Sequence, residues 1–150
     1  MRIGPVYIAL LAALSIPAYA TSFDEKVPDE QSIRDLELRA TQAQPKDQCF
    51  LYAQLVHEMI EYSARQYAAG DTEKASGFLK RAQELTHKIR MVLAGNDKKL
   101  KDAQILLRHT AFRLSELLHA SSFEDRPLVQ ETLAQLNKTQ DDAMMQVFKK

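Results

Sequence analysis

The stretch ARQYAAGDTEKASGFLKRA, residues 64–82, decides the fold. Gly70 stands where a helix must stop, because glycine enters the left-handed conformation after a helix end without a Cβ penalty. Asp71-Thr72 follows at once, and an aspartate there accepts hydrogen bonds from the free N–H groups of a new helix. One helix thus ends and another begins within three residues, which is the sequence form of a helical hairpin.

Working outward, the same punctuation repeats. The helix before Gly70 is expected over about 47–69, and the one after it from Thr72 to about Ala94, where Gly95 stops it. Asn96-Asp97 caps a third, running to about Ala120. After a linker at 121–126, Pro127 takes a first-turn position in a last helix ending near Phe148. A short helix over about 32–43 precedes them all and ends at the Gln44-Pro45 step, since the residue before proline avoids the helical region.

Apolar spacing supports these helices. Ala75, Phe78, Ala82, Leu85, Ile89 and Val92 form one seam of alternating three- and four-residue steps. Leu100, Ala103, Leu107, Thr110, Leu114 and Leu117 form the next, and Val129, Leu133, Leu136, Gln140, Ala143 and Val147 the last. The 47–69 helix is apolar over a wider arc and is expected to be the most buried, with enough apolar surface to serve a dimer interface. Short links favour antiparallel sequential neighbours. The expected fold is all-α: an up-down-up-down four-helix bundle with a short additional N-terminal helix, forming one domain over residues 32–150.

The N-terminus reads as an export signal. Met1-Arg2 is positive, Val6–Leu14 is apolar, and Ala18-Tyr19-Ala20 offers the small-x-small pattern of a signal-peptidase site. Cleavage is expected after Ala20, leaving a periplasmic or extracellular protein with a flexible leader over 21–31. The apolar run is shorter than the roughly 20 residues that span a bilayer.

The chain carries 20 basic and 20 acidic residues. Removing residues 1–20 takes away Arg2 alone and leaves a net charge of about −1, which is not the basic footprint of a nucleic-acid binder. Cys49 is the single cysteine, so it is either buried or joined to another chain.

The segment Gly70 to Ala82, with Asp71, Thr72, Ala75, Leu79 and Ala82, resembles the turn and second helix of a tetratricopeptide repeat. That resemblance covers one hairpin and implies a helical interaction scaffold. In general form the chain is similar to small exported bacterial helical-bundle proteins, including periplasmic stress chaperones, whose Leu-Thr-x-x-Gln motif does not occur here.

Several side chains are candidates for chemistry. Glu84-x-x-His87 and Glu116-x-x-His119 have the spacing of di-iron ligands. Both seams, however, pass through the residue after the glutamate, so both pairs are expected on outer faces. Folded on paper, His57, His87 and His109 fall within about a turn of one another in height, which makes them the metal candidates. His87 and His109 both lie outside their seams on different helices, so they are not expected to converge on one ion and no metal site is expected. Thr110 and Gln140 are polar members of apolar seams, expected to hydrogen-bond across the core or to border a ligand cavity.

Charge separates along the proposed bundle. Lys46, Lys88, Arg90, Lys98, Lys99, Lys101, Lys149 and Lys150 gather at one end, and Asp71, Glu73, Glu116, Glu124, Asp125 and Glu131 at the other. Lys98, Lys99 and Lys101 begin a helix, where cations oppose the dipole, and are the candidate contact for an acidic partner or anionic lipid. No phosphate loop, haem-attachment motif, nucleophile elbow or zincin motif is present, and no cofactor is expected. The reading is a non-enzymatic exported bundle acting by protein–protein interaction, with a protein partner or itself. A small-ligand or metal-binding bundle is the alternative, and an enzyme of unknown type the third.

Overall fold

The sharpest helix ends are fixed by local hydrogen bonds. The protein is described by a computed structural model over residues 27–93 and 99–149. Among these residues there are five helices and no strand: α1 (Glu30–Gln42), α2 (Pro45–Ala68), α3 (Thr72–Val92), α4 (Leu100–Ala120) and α5 (Arg126–Phe148). The expected signal at 1–20, most of the leader, Gly95, Asn96, Asp97, Lys98 and Lys150 lie outside the described residues.

The turn quoted above behaves as its residues require. Gly70 has φ +84°, its N–H donates to Tyr67 O at 3.1 Å, and Asp71 N–H reaches back to Gln66 O at 2.9 Å. These two bonds satisfy the last carbonyls of α2. The Asp71 side chain then accepts the Lys74 N–H at 3.1 Å and opens α3. α1 begins at Glu30, two residues earlier than expected, because Asp29 and Ser32 form a reciprocal capping box. Pro45 takes the first turn of α2, and α4 begins at Leu100 behind Lys99, which makes no side-chain cap bond.

Packed pairs define the arrangement: α2 on α3, α4 on α5, α2 on α4, α3 on α5 and α1 on α2. The helices therefore follow one another around the core as α2, α3, α5, α4. Consecutive α3 and α4 are not a packed pair, although the short link predicts neighbours. A short link constrains where the next helix starts, and side-chain fit decides which helix it lies against.

Directions follow from cross-helix bonds. His57 meets Thr110 and Glu61 meets Arg113, at separations of 53 and 52 residues, so α2 and α4 run parallel. Gln83 meets Thr132 and Arg90 meets Asp142, at separations of 49 and 52, so α3 and α5 also run parallel. Ser63 Oγ donates to Ala75 O at 2.7 Å across the antiparallel α2–α3 hairpin. α1 lies antiparallel to α2, with Tyr62 Oη donating to Glu30 and Gln48 near Ala40. It is tied to α3 by Glu30–Lys74 and Glu37–Arg81 ion pairs, both 2.8 Å.

The wide apolar arc of α2 is explained by its three neighbours, α1, α3 and α4. Leu55, Val56, Met59 and Ile60 are fully buried, each contributing roughly 1.5–3 kcal/mol by leaving water. This arc is covered within the chain, so it is not an open dimer face. The α3 and α4 seams fall largely where their spacing predicts, with Leu79 replacing Phe78 as the core residue. Phe78 sits at the edge, its ring 4.6 Å from Tyr62 and capped by Arg81.

The α5 seam turns by one residue. Val129, Thr132, Leu136, Thr139 and Ala143 are buried, whereas Leu133 and Gln140 are only partly so. Threonine suits such positions because its hydroxyl can return to the carbonyl four residues back. Thr86, Thr110 and Thr132 all do this, at 2.7–2.8 Å.

Candidate functional site: the groove between α2 and α4

The parallel α2–α4 pair leaves a groove of about 620 Å³ beside the core. His57, Glu58 and Glu61 line it from α2; Leu106, His109, Phe112 and Arg113 from α4; Val27 and Pro28 from the chain entering α1. Arg113, Glu61 and His57 are held by specific bonds. Arg113 pairs with Glu61 at 2.7 Å and also with Glu116 one turn away, and these carboxylates raise the guanidinium pKa further.

His57 is oriented through Thr110. The fully buried Thr110 hydroxyl donates to Leu106 O at 2.8 Å, so its single proton is used there. The 2.8 Å contact with His57 Nδ1 then requires the ring to donate, which places the proton of the neutral imidazole on Nδ1. A buried polar seam residue thus bonds across the core, as expected for Thr110. Gln140, its expected counterpart, sits half-buried at the edge, and Thr132 takes that role by accepting from Gln83 Nε2 at 2.8 Å.

Beside Glu58 and His109, the rest of the lining is apolar: Val27, Pro28, Leu106 and Phe112. Phe112 is 65% exposed, and Val27 and Leu106 lie beside it. Phe112 is off the α4 seam, so periodicity alone did not single it out. The available signal was a large aromatic on an outer helix face among Arg108, His109 and Arg113, with Ile105 two turns before it also exposed.

The three candidate histidines divide. His57 and His109 share this groove, whereas His87 lines clefts between α3 and α5, on the opposite side of the core. His87 differs in both height and azimuth: the Ser63–Ala75 bond sets His57 level with about residue 81, so His87 lies roughly 9 Å further along the axis, and α4 pairs with α2 instead of α3. Among the described residues no group of three His, Cys, Asp or Glu side chains is arranged to hold a metal. Glu84, His87, Glu116 and His119 are all exposed, and His119 Nδ1 is bonded to Ser115 O at 2.7 Å.

At the basic end, Lys99 is engaged within the molecule. It pairs with Asp47 at 3.5 Å and its ammonium lies 5.5 Å from the Phe50 ring centre. Lys101 is exposed, and Lys98 lies outside the described residues. Cys49 is fully buried, and burial pushes its thiol pKa up to about 11. Among the described residues no helix is long and apolar enough to cross a membrane.

Comparison with protein-family models, with curated proteins and with solved structures found no match to this chain.

Proposed function

We propose that this is an exported helical-bundle protein that works by protein–protein contact, using the α2–α4 groove to hold an apolar side chain of a partner polypeptide. The observation that carries the reading is Phe112, an aromatic left 65% exposed at the edge of a groove that also offers Val27 and Leu106. Exposed apolar surface of this kind, rimmed by polar groups, marks interaction sites. The Arg113–Glu61 pair and the Thr110-oriented His57 supply a polar rim whose geometry is set before a partner arrives. A preformed rim lowers the ordering cost of binding.

The finer architecture belongs to the same proposal: four long helices as an up-down-up-down bundle, joined as two hairpins, with α1 as the additional helix. The tetratricopeptide-like turn fits a scaffold built from hairpins. Export rests on the residues 1–20 pattern, and amino-terminal sequencing of the mature protein should begin at Thr21.

The test is affinity capture of wild type and Phe112→Ser from native envelope fractions, followed by binding measurements with the purified partner. A stoichiometric partner held by wild type and weakened at least tenfold by Phe112→Ser is expected. Equal binding by both proteins would remove the groove from the proposal. The basic end is tested separately by replacing Lys98, Lys99 and Lys101 with Gln. Binding to anionic vesicles should fall if that end meets lipid, and an unchanged isotherm would exclude it.

A further inference from the structure

Methionine thioethers are apolar and usually packed away, where they fill irregular gaps. At the lower end of the α3–α5 pair this pattern is broken. Met91 is 70% exposed and Met145 57% exposed, and both line one cleft of about 440 Å³ together with His87. We propose that His87, Met91 and Met145 form a binding site for a soft monovalent metal ion, Cu(I).

The placement follows from the helices. His87 and Met91 are one turn apart on the exposed side of α3, a spacing that puts two side chains on one helix face. α5 runs parallel beside it, with register set by the 3.0 Å Arg90–Asp142 pair. Together with the Gln83–Thr132 bond, that register puts Met145 two to five residues beyond the level of Met91, or roughly 3–8 Å along the axis. Side chains of both parallel helices lean toward their N-termini, His87 included, so the lean preserves their spacing and it is the shared cleft that brings the three together. His87 and Met91 also line the adjoining cleft, so the imidazole and one thioether border both spaces.

The chemistry selects the ion. Two thioethers and an imidazole are neutral, soft donors, the set that favours Cu(I) over hard divalent cations. The remaining polar groups of the cleft oppose a dication. Asp142 is already engaged by Arg90, and Lys149 adds a positive charge at the rim. A single charge held by neutral ligands suffers least from those neighbours. No electron transfer is involved, because the ion enters and leaves as Cu(I).

The purified protein should take up one Cu(I) in an anaerobic titration against a chromogenic Cu(I) chelator. Met91→Leu and Met145→Leu, which preserve volume, should each weaken binding at least tenfold, and the double variant should lose it. His87→Gln should weaken it by a similar factor, while Cys49→Ala, which removes the one buried thiol, should bind as wild type does. Zn(II) should bind at least a hundredfold more weakly than Cu(I). A measurement that needs no variant is the methyl NMR spectrum with Ag(I) as a redox-inert stand-in. The Met91 and Met145 methyls should shift, with those of buried Met59 unchanged. Wild-type affinity in the double variant, loss of binding in Cys49→Ala, or Ag(I) shifts confined to other methionines would each overturn the proposal.

Discussion

Replacing Thr110 with valine tests whether the His57–Thr110 contact holds α2 against α4. The change keeps the shape and β-branching of the side chain, so helix propensity is nearly unaltered. The Leu106 carbonyl keeps its backbone partner within α4, and losing the extra hydroxyl bond costs little. The substantial loss is at His57, whose Nδ1–H donates to Thr110 at 2.8 Å. A buried donor left without an acceptor costs about 1–3 kcal/mol, and the low half of that range applies because the groove admits water to a half-buried ring. Burying a methyl in place of the hydroxyl returns up to ~0.8 kcal/mol. The net expectation is a loss of about 1 kcal/mol, or roughly 4 °C in Tm for a chain of this size.

Urea unfolding followed by helical circular dichroism would measure it, and a double-mutant cycle with His57→Leu would isolate the contact. With no ring to satisfy, Thr110→Val should become neutral or stabilising in the His57→Leu background. A Thr110→Val effect that is the same in both backgrounds would refute the reasoning. It would mean that the hydroxyl acts only on its own helix.

Three further outcomes are expected. Gly70→Ala should cost about 1 kcal/mol with no repacking, since φ is +84° while nothing lies within 4 Å of an added Cβ; a thermal melt matching wild type would contradict the turn geometry. Glu30, hydrogen-bonded by Lys74 and Tyr62, has its carboxyl held below the ordinary value of 4.5. Its contribution is therefore present above that value and is lost as pH falls through the lowered one, so Glu30→Gln and wild type should differ in stability at pH 7 and converge toward pH 3. Cys49, with a thiol pKa of about 11 against an ordinary 9.0, should react with iodoacetamide at pH 8 about a hundredfold more slowly in the native protein than in urea; equal rates would show that the thiol is accessible.

The hairpin turn and most helix limits were legible because their causes are local. Gly70 and Asp71 act within one turn of chain, and Asp29 with Ser32 uses a pattern that was present in the sequence but read two residues late. The breadth of the α2 apolar arc marked the most buried helix, but it did not tell that three helices of the same chain, and not a second copy, cover it. The α5 seam was misread by one position because a hydropathy pattern prefers Leu133 to Thr132. It does not register that a buried threonine can satisfy its own hydroxyl on the preceding turn.

The candidate site was only half legible. His57, His109 and Thr110 were singled out, yet their grouping needed the α2–α4 pairing, and so did the exclusion of His87. Phe112 and the Arg113–Glu61 pair acquire significance only when a second helix lies beside α4. By itself, then, the sequence determined an all-helical chain, the position of its sharpest turn and, to within one position, the stripe that each long helix buries. Those follow from backbone hydrogen bonds and periodicity within a single segment. Which stripe meets which was decided by the tertiary structure alone. Apolar faces are interchangeable at the level of composition, and only shape fit and a few directed bonds, such as His57 to Thr110 and Gln83 to Thr132, distinguish one pairing from another.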